Sequence, residues 1–107
     1  MTRGATFAVV LAVLGTCPAG FARAEDAASL PAYGRHLASE CTACHRSDGV
    51  DGGIPSLAGK PEADLIGLLM SYREGRKTNP VMVSVARSLD ERQIAALAAY
   101  FSSLARR

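Results

Sequence analysis

A chain of 107 residues has room for one domain and little else. At 49% hydrophobic and 21% charged it has an ordinary soluble composition, yet only 6% is aromatic and Trp is absent, so large rings do not fill its core. A formal charge of +2 falls short of the basic face that nucleic-acid binding wants.

The first 24 residues read as an export signal. Arg3 supplies the positive start, Ala5 to Leu14 is an apolar run of ten residues, and Ala22-Arg23-Ala24 forms a small-x-small cleavage site. A run of ten is too short for a bilayer, which needs about 20 residues, so the chain is expected not to be transmembrane. Leu14-Gly15-Thr16-Cys17 loosely resembles a lipoprotein site with Cys17 as the lipidated residue, although Thr16 fits it poorly. Cleavage after Ala24 leaves a periplasmic domain over residues 25–107. Loss of Arg3 and Arg23 takes the 12 basic residues to 10, against 10 acidic ones, so the mature charge is zero. Two cysteines remain, Cys41 and Cys44.

The mature chain reads as all-α. Tyr33 to Ser39 carries a first helix that runs into Cys44. Residues 46–61, with Gly49, Gly52, Gly53, Gly59, Pro55 and Pro61, form a loop. Pro61 suits the first position of the next helix, with Glu62 and Asp64 at its positive end and Gly75 as its stop. Leu65, Leu68, Leu69 and Tyr72 recur at helical spacing along it, with Ile66 and Met70 widening the apolar face. The last helix is the best signalled. Asp90 and Gln93 make a capping box, Leu89 and Ile94 a hydrophobic staple, and Ile94, Leu97, Phe101 and Leu104 a core stripe.

The chemistry lies in Cys41-Thr42-Ala43-Cys44-His45, the attachment signature of c-type haem. Two cysteines three apart on a helical turn can reach both vinyl groups of one porphyrin and form thioethers. The following imidazole then lies under the ring, where a nitrogen can bind iron. Haem would also supply the missing core. A thiol–disulfide centre usually sits in a strand–helix fold, and none is visible. A zinc site would need a fourth ligand, for which the chain offers only His36 or a carboxylate.

A second axial ligand must come from Met70, Met82 or His36. Met70 sits among apolar neighbours on a helix, where methionine is more often core filling. His36 precedes the motif on its own helix. Met82 lies between two helices, 37 residues after His45, in a segment that can fold over the far face of the ring.

The arrangement Gly34 … Cys41-x-x-Cys44-His45 … Ile54-Pro55-x-Leu57-x-Gly59 … Tyr72-Arg73-x-Gly75 … Met82-x-x-x-Ala86-x-x-Leu89 … Ile94-x-x-Leu97-x-x-Tyr100-Phe101 resembles class I cytochrome c over nearly the whole mature chain. More narrowly, it resembles the c-four type and the cytochrome subunit of flavocytochrome c sulfide dehydrogenase. The resemblance implies a small all-α fold wrapped around one covalent haem c. Cys41 and Cys44 carry the thioethers in it, His45 and Met82 bind the iron, and the Pro55 carbonyl orients the imidazole. Gly34 and Tyr100 mark the crossing of the first and last helices. There are two departures. The c-four type carries two haems in tandem, and Arg46 stands where these families often place a glycine.

These residues imply electron transfer without catalysis in the domain itself, because two axial ligands leave no room for substrate. The expected partner is a redox protein, with a flavoprotein sulfide dehydrogenase subunit foremost. A freely diffusing periplasmic carrier is the alternative. Val81 and Val83, beside Met82, are expected to form an apolar collar where the haem edge opens.

Overall fold

The computed structural model describes Gly15 and residues 21–50 and 52–105; Cys17 and the apolar run Ala5 to Leu14 lie outside them. Five helices follow in order: α1 Phe21–Leu37, α2 Ser39–Thr42, α3 Glu62–Arg73, α4 Pro80–Arg87 and α5 Glu91–Ser103. No strand occurs among the described residues, where the one β-type contact is an isolated bridge between Gly52 and Ile54. The all-α expectation holds.

α1 begins at Phe21 and runs through the junction at which cleavage is expected. Pro31 lies inside it, which costs one backbone hydrogen bond without ending the helix. The helix does not continue unbroken to Cys44. It ends at Leu37, turns at Ala38 and restarts as the single turn of α2. Ala38 is buried against α5, and its carbonyl accepts from Cys41 N at 3.0 Å and Thr42 N at 2.9 Å.

α1 crosses α5 at Gly34. A Cβ there would stand 1.9 Å from the Ala96 carbonyl oxygen and 2.8 Å from the Tyr100 Cβ, so only hydrogen fits. Arg92 stacks over the Tyr33 ring at 5.6 Å on the same pair of helices. α5 supplies most of the core. Ile94, Ala96, Leu97, Ala98 and Phe101 are buried, and Leu97, Ala98 and Phe101 cluster with Ala38 and Leu65. Its start is as expected. The Asp90 carboxylate accepts from Gln93 N at 2.8 Å while the Gln93 side chain accepts from Asp90 N at 2.9 Å.

α3 starts one residue later than expected, with Pro61 as the residue before its first turn. Gly75 ends it in the left-handed region, φ 75°, where glycine carries no Cβ penalty. Of its apolar stripe only Leu65 is fully buried, and Leu68 stays 38% exposed. Leu65 and Ile66 pack against the core cluster, while Leu68, Leu69 and Tyr72 face a cavity. α4 is the larger departure. The segment around Met82, read as a connection, is a helix of eight residues capped by Asn79 with Pro80 in its first turn.

Candidate haem site

The backbone turn after α2 gathers the motif. Cys44 N donates to the Cys41 carbonyl at 3.2 Å and His45 N to the same carbonyl at 2.8 Å. This keeps the three side chains on one helical turn, the geometry that their spacing implies. His45 Nδ1 lies 2.7 Å from the Pro55 carbonyl oxygen. A carbonyl can only accept, so Nδ1 carries the proton and Nε2 keeps its lone pair free for a metal. The glycine-rich loop is tied down behind this contact. Ser56 Oγ donates to the Arg46 carbonyl at 3.0 Å, and Gly59 N donates to the Phe101 carbonyl at 2.9 Å.

The corner after His45 is built on charge. The Arg46 guanidinium forms a forked pair with the Asp48 carboxylate, which also accepts from Val50 N at 3.0 Å. The Arg46 hydrogen bonds, helped by the Val50 N–H, hold the Asp48 carboxyl down to about 2. An arginine in the place of a glycine therefore closes its own turn.

A cavity of about 590 Å³ opens among these elements, within the range of about 300–1,000 Å³ that small-molecule and cofactor sites occupy. Cys41, Cys44, His45 and Pro55 line it, together with Leu65, Leu68, Leu69 and Tyr72 of α3. α4 contributes Val81, Met82 and Val85, and α5 contributes Leu97, Ala98 and Phe101. Met70 and His36 are not among its lining residues. Val81 lines it while 65% exposed, whereas Val83 is half-buried and turned elsewhere, so only one of the two expected collar valines stands at the opening.

The lining distinguishes between the possible occupants. It is mostly apolar, and its cations are Lys60 and Lys77, neither in an ion pair among the described residues. A disc of porphyrin with two carboxylates matches that pattern. A redox dithiol does not. Burial pushes the Cys41 thiol up, and the Glu40 carboxylate adds to the effect, whereas reactive dithiols carry a lowered pKa. Nor do three His, Cys, Asp or Glu side chains converge to hold a bare metal ion among the described residues. Sequence reasoning does not place Lys60, Lys77 or Asn79 at the site. Asn79 was discoverable, since Asn followed by Pro is a helix-start pair.

Residues 31–105 match the cytochrome c family, and the chain belongs to it. The family and the attachment motif together give the cofactor, one covalently bound haem c with its iron. The chain is 40% identical over 70 residues to the thiosulfate dehydrogenase electron acceptor of Thiomonas intermedia (strain K12), covering 63% of this chain and 32% of that protein. It is 34% identical over 79 residues to cytochrome c4 of Pseudomonas aeruginosa, covering 72% and 39%. Against cytochrome c-552 of Acidithiobacillus ferridurans it is 37% identical over 65 residues, covering 60% and 28%. The chain spans about a third of the length of these relatives. The resemblance to class I cytochrome c near the c-four type is thereby confirmed, and with it electron transfer as the general role.

Proposed function

We propose that the mature domain carries single electrons in the periplasm through a haem held by Cys41 and Cys44 and ligated by His45 and Met82. One observation carries this reading: His45 and Met82, far apart in sequence, line one apolar cavity that the other candidate ligands do not reach. When bound, the haem iron supplies a one-electron couple. The chain's residues do the rest. Cys41 and Cys44 fix the ring covalently, and the Pro55 carbonyl aligns the His45 imidazole by accepting its Nδ1 proton. The Met82 thioether, as an iron ligand, would favour the ferrous state and raise the potential. Leu65, Leu97 and Phe101 keep water away, so little has to reorganise when charge moves. With His45 and Met82 both holding the iron, no open site would remain for a substrate, and the domain would pass electrons without catalysing a reaction itself.

The electron donor in this proposal is a periplasmic dehydrogenase of reduced sulfur compounds. Two likenesses support it. One relative is named as a thiosulfate dehydrogenase electron acceptor, and the motif pattern resembles the cytochrome subunit of flavocytochrome c sulfide dehydrogenase. The alternative, a freely diffusing carrier, has the same site and differs only in how long a partner stays. No helix among the described residues is long and apolar enough to cross a membrane.

The test is potentiometric. Haem should resist acid–acetone extraction, give a c-type pyridine haemochrome and titrate as a single one-electron couple. Val81→Asp should leave that spectrum unchanged while weakening association with the sulfur-compound dehydrogenase. Haem that extracts freely refutes the site, and undiminished association refutes the docking face.

A further inference from the structure

Building on Met82 as the second iron ligand, we propose that Asn79 is the positioning residue that holds Met82 at the cavity, by capping the first turn of α4. Three consecutive residues hang from Asn79. Its side-chain oxygen accepts from Val81 N at 3.1 Å and from the backbone N–H of Met82 itself at 3.2 Å, and its carbonyl accepts from Val83 N at 2.9 Å. Pro80, between the cap and these donors, has a fixed φ and no N–H to satisfy.

The chain before Asn79 is tied in the other direction. Arg76 N and Lys77 N both donate to the Ser71 carbonyl, at 2.9 and 3.1 Å, and the Lys77 ammonium lies 5.8 Å from the Tyr72 ring centroid. Lys77 is thus anchored to α3 and Asn79 to α4, with Thr78 alone between them. A connection fastened so closely to each side leaves the cap to set where the first turn of α4, and Met82 with it, stands over the cavity. Removing the cap leaves two N–H groups to water and lets that turn fray. Met82 is its third residue.

This role separates from ordinary helix stabilisation by an outside ligand. Imidazole reaches the oxidised iron only when Met82 has moved away, so its apparent affinity follows the fraction of molecules with Met82 displaced. Loss of a cap should raise that fraction, and so tighten imidazole binding, by about two- to thirtyfold. The experiment is imidazole titration of the oxidised haem protein, followed by absorbance, for wild type and four variants. Asn79→Ala should bind imidazole more tightly than wild type. Asn79→Asp, which keeps an acceptor for both N–H groups, should return the affinity to near the wild-type value. Asp90→Ala removes a comparable cap from α5, so it should lower the unfolding midpoint and leave imidazole affinity unchanged. Met82→Ala should bind more tightly than all of these. If Met82→Ala tightens binding but Asn79→Ala does not, or if Asp90→Ala tightens it as much as Asn79→Ala, the positioning role is wrong while Met82 remains a ligand. If Met82→Ala itself binds imidazole no better than wild type, the ligation reading fails and takes the role of Asn79 with it.

Discussion

Asp48 and Arg46, both open to water, pair across the turn that leaves His45. Asp48 accepts from the guanidinium and from the Val50 N–H, and both stabilise its ionised form over its protonated one. Its carboxyl therefore falls from 3.8 to about 2. A carboxyl depressed in the fold adds stability that is complete above its unfolded pKa and lost as pH falls through about 2. Exposure and screening keep that contribution small. An NMR titration of the Asp48 side chain should show a midpoint near 2 in wild type and one moved up towards 3.8 in Arg46→Gln. A wild-type midpoint already near 3.8 would show that the pair does not form in solution. At this scale the attachment residues were fully legible, because Cys-x-x-Cys-His is a local pattern. Arg46 was legible only as a departure, since its partner two residues on announces itself through geometry and not through spacing.

Among the elements, the crossing of α1 and α5 sets the frame on which the site hangs. At Gly34 the helices approach so closely that a methyl group would fall inside the Ala96 carbonyl. Backbone, unlike a flexible side chain, cannot swing aside. Gly34→Ala should therefore push the helices apart and destabilise the haem protein by about 1–3 kcal/mol or more, as overpacking of a fitted core does. Denaturant unfolding followed by circular dichroism would read this as a lower midpoint at an unchanged slope, and an unchanged midpoint would show that the crossing is looser than 1.9 Å implies. The helices differed in how plainly the sequence announced them. α5 was complete in advance, down to its reciprocal cap, because Asp90 and Gln93 are neighbours whose bonds stay local. α4 is hard to read in advance. Eight residues offer barely two turns of periodicity, and Asn79-Pro80 is the one local sign of a helix start. The sequence shows no break between α1 and α2, because the turn at Ala38 packs against α5, a contact distant in sequence.

For the molecule as a whole, the cavity explains what composition only hinted at. On the proposed reading, few aromatic residues fill the interior because the haem would take part of it. α3 shows this most plainly. Its stripe is plain in the sequence as an apolar face, and Leu68, Leu69 and Tyr72 of that face line a cavity of about 590 Å³. Sequence periodicity reveals an apolar face but not whether protein or porphyrin covers it. The same cavity brings together His45, from the turn after α2, and Met82, from the first turn of α4. That meeting is the centre of the account. Proton NMR of the ferrous protein reads it directly, because the porphyrin ring current shifts the methyl group of an iron-bound methionine far upfield, clear of every other resonance. The account predicts one such three-proton line in wild type, retained in Met70→Leu and absent in Met82→Ala. A line that survives Met82→Ala, or vanishes in Met70→Leu, would contradict it.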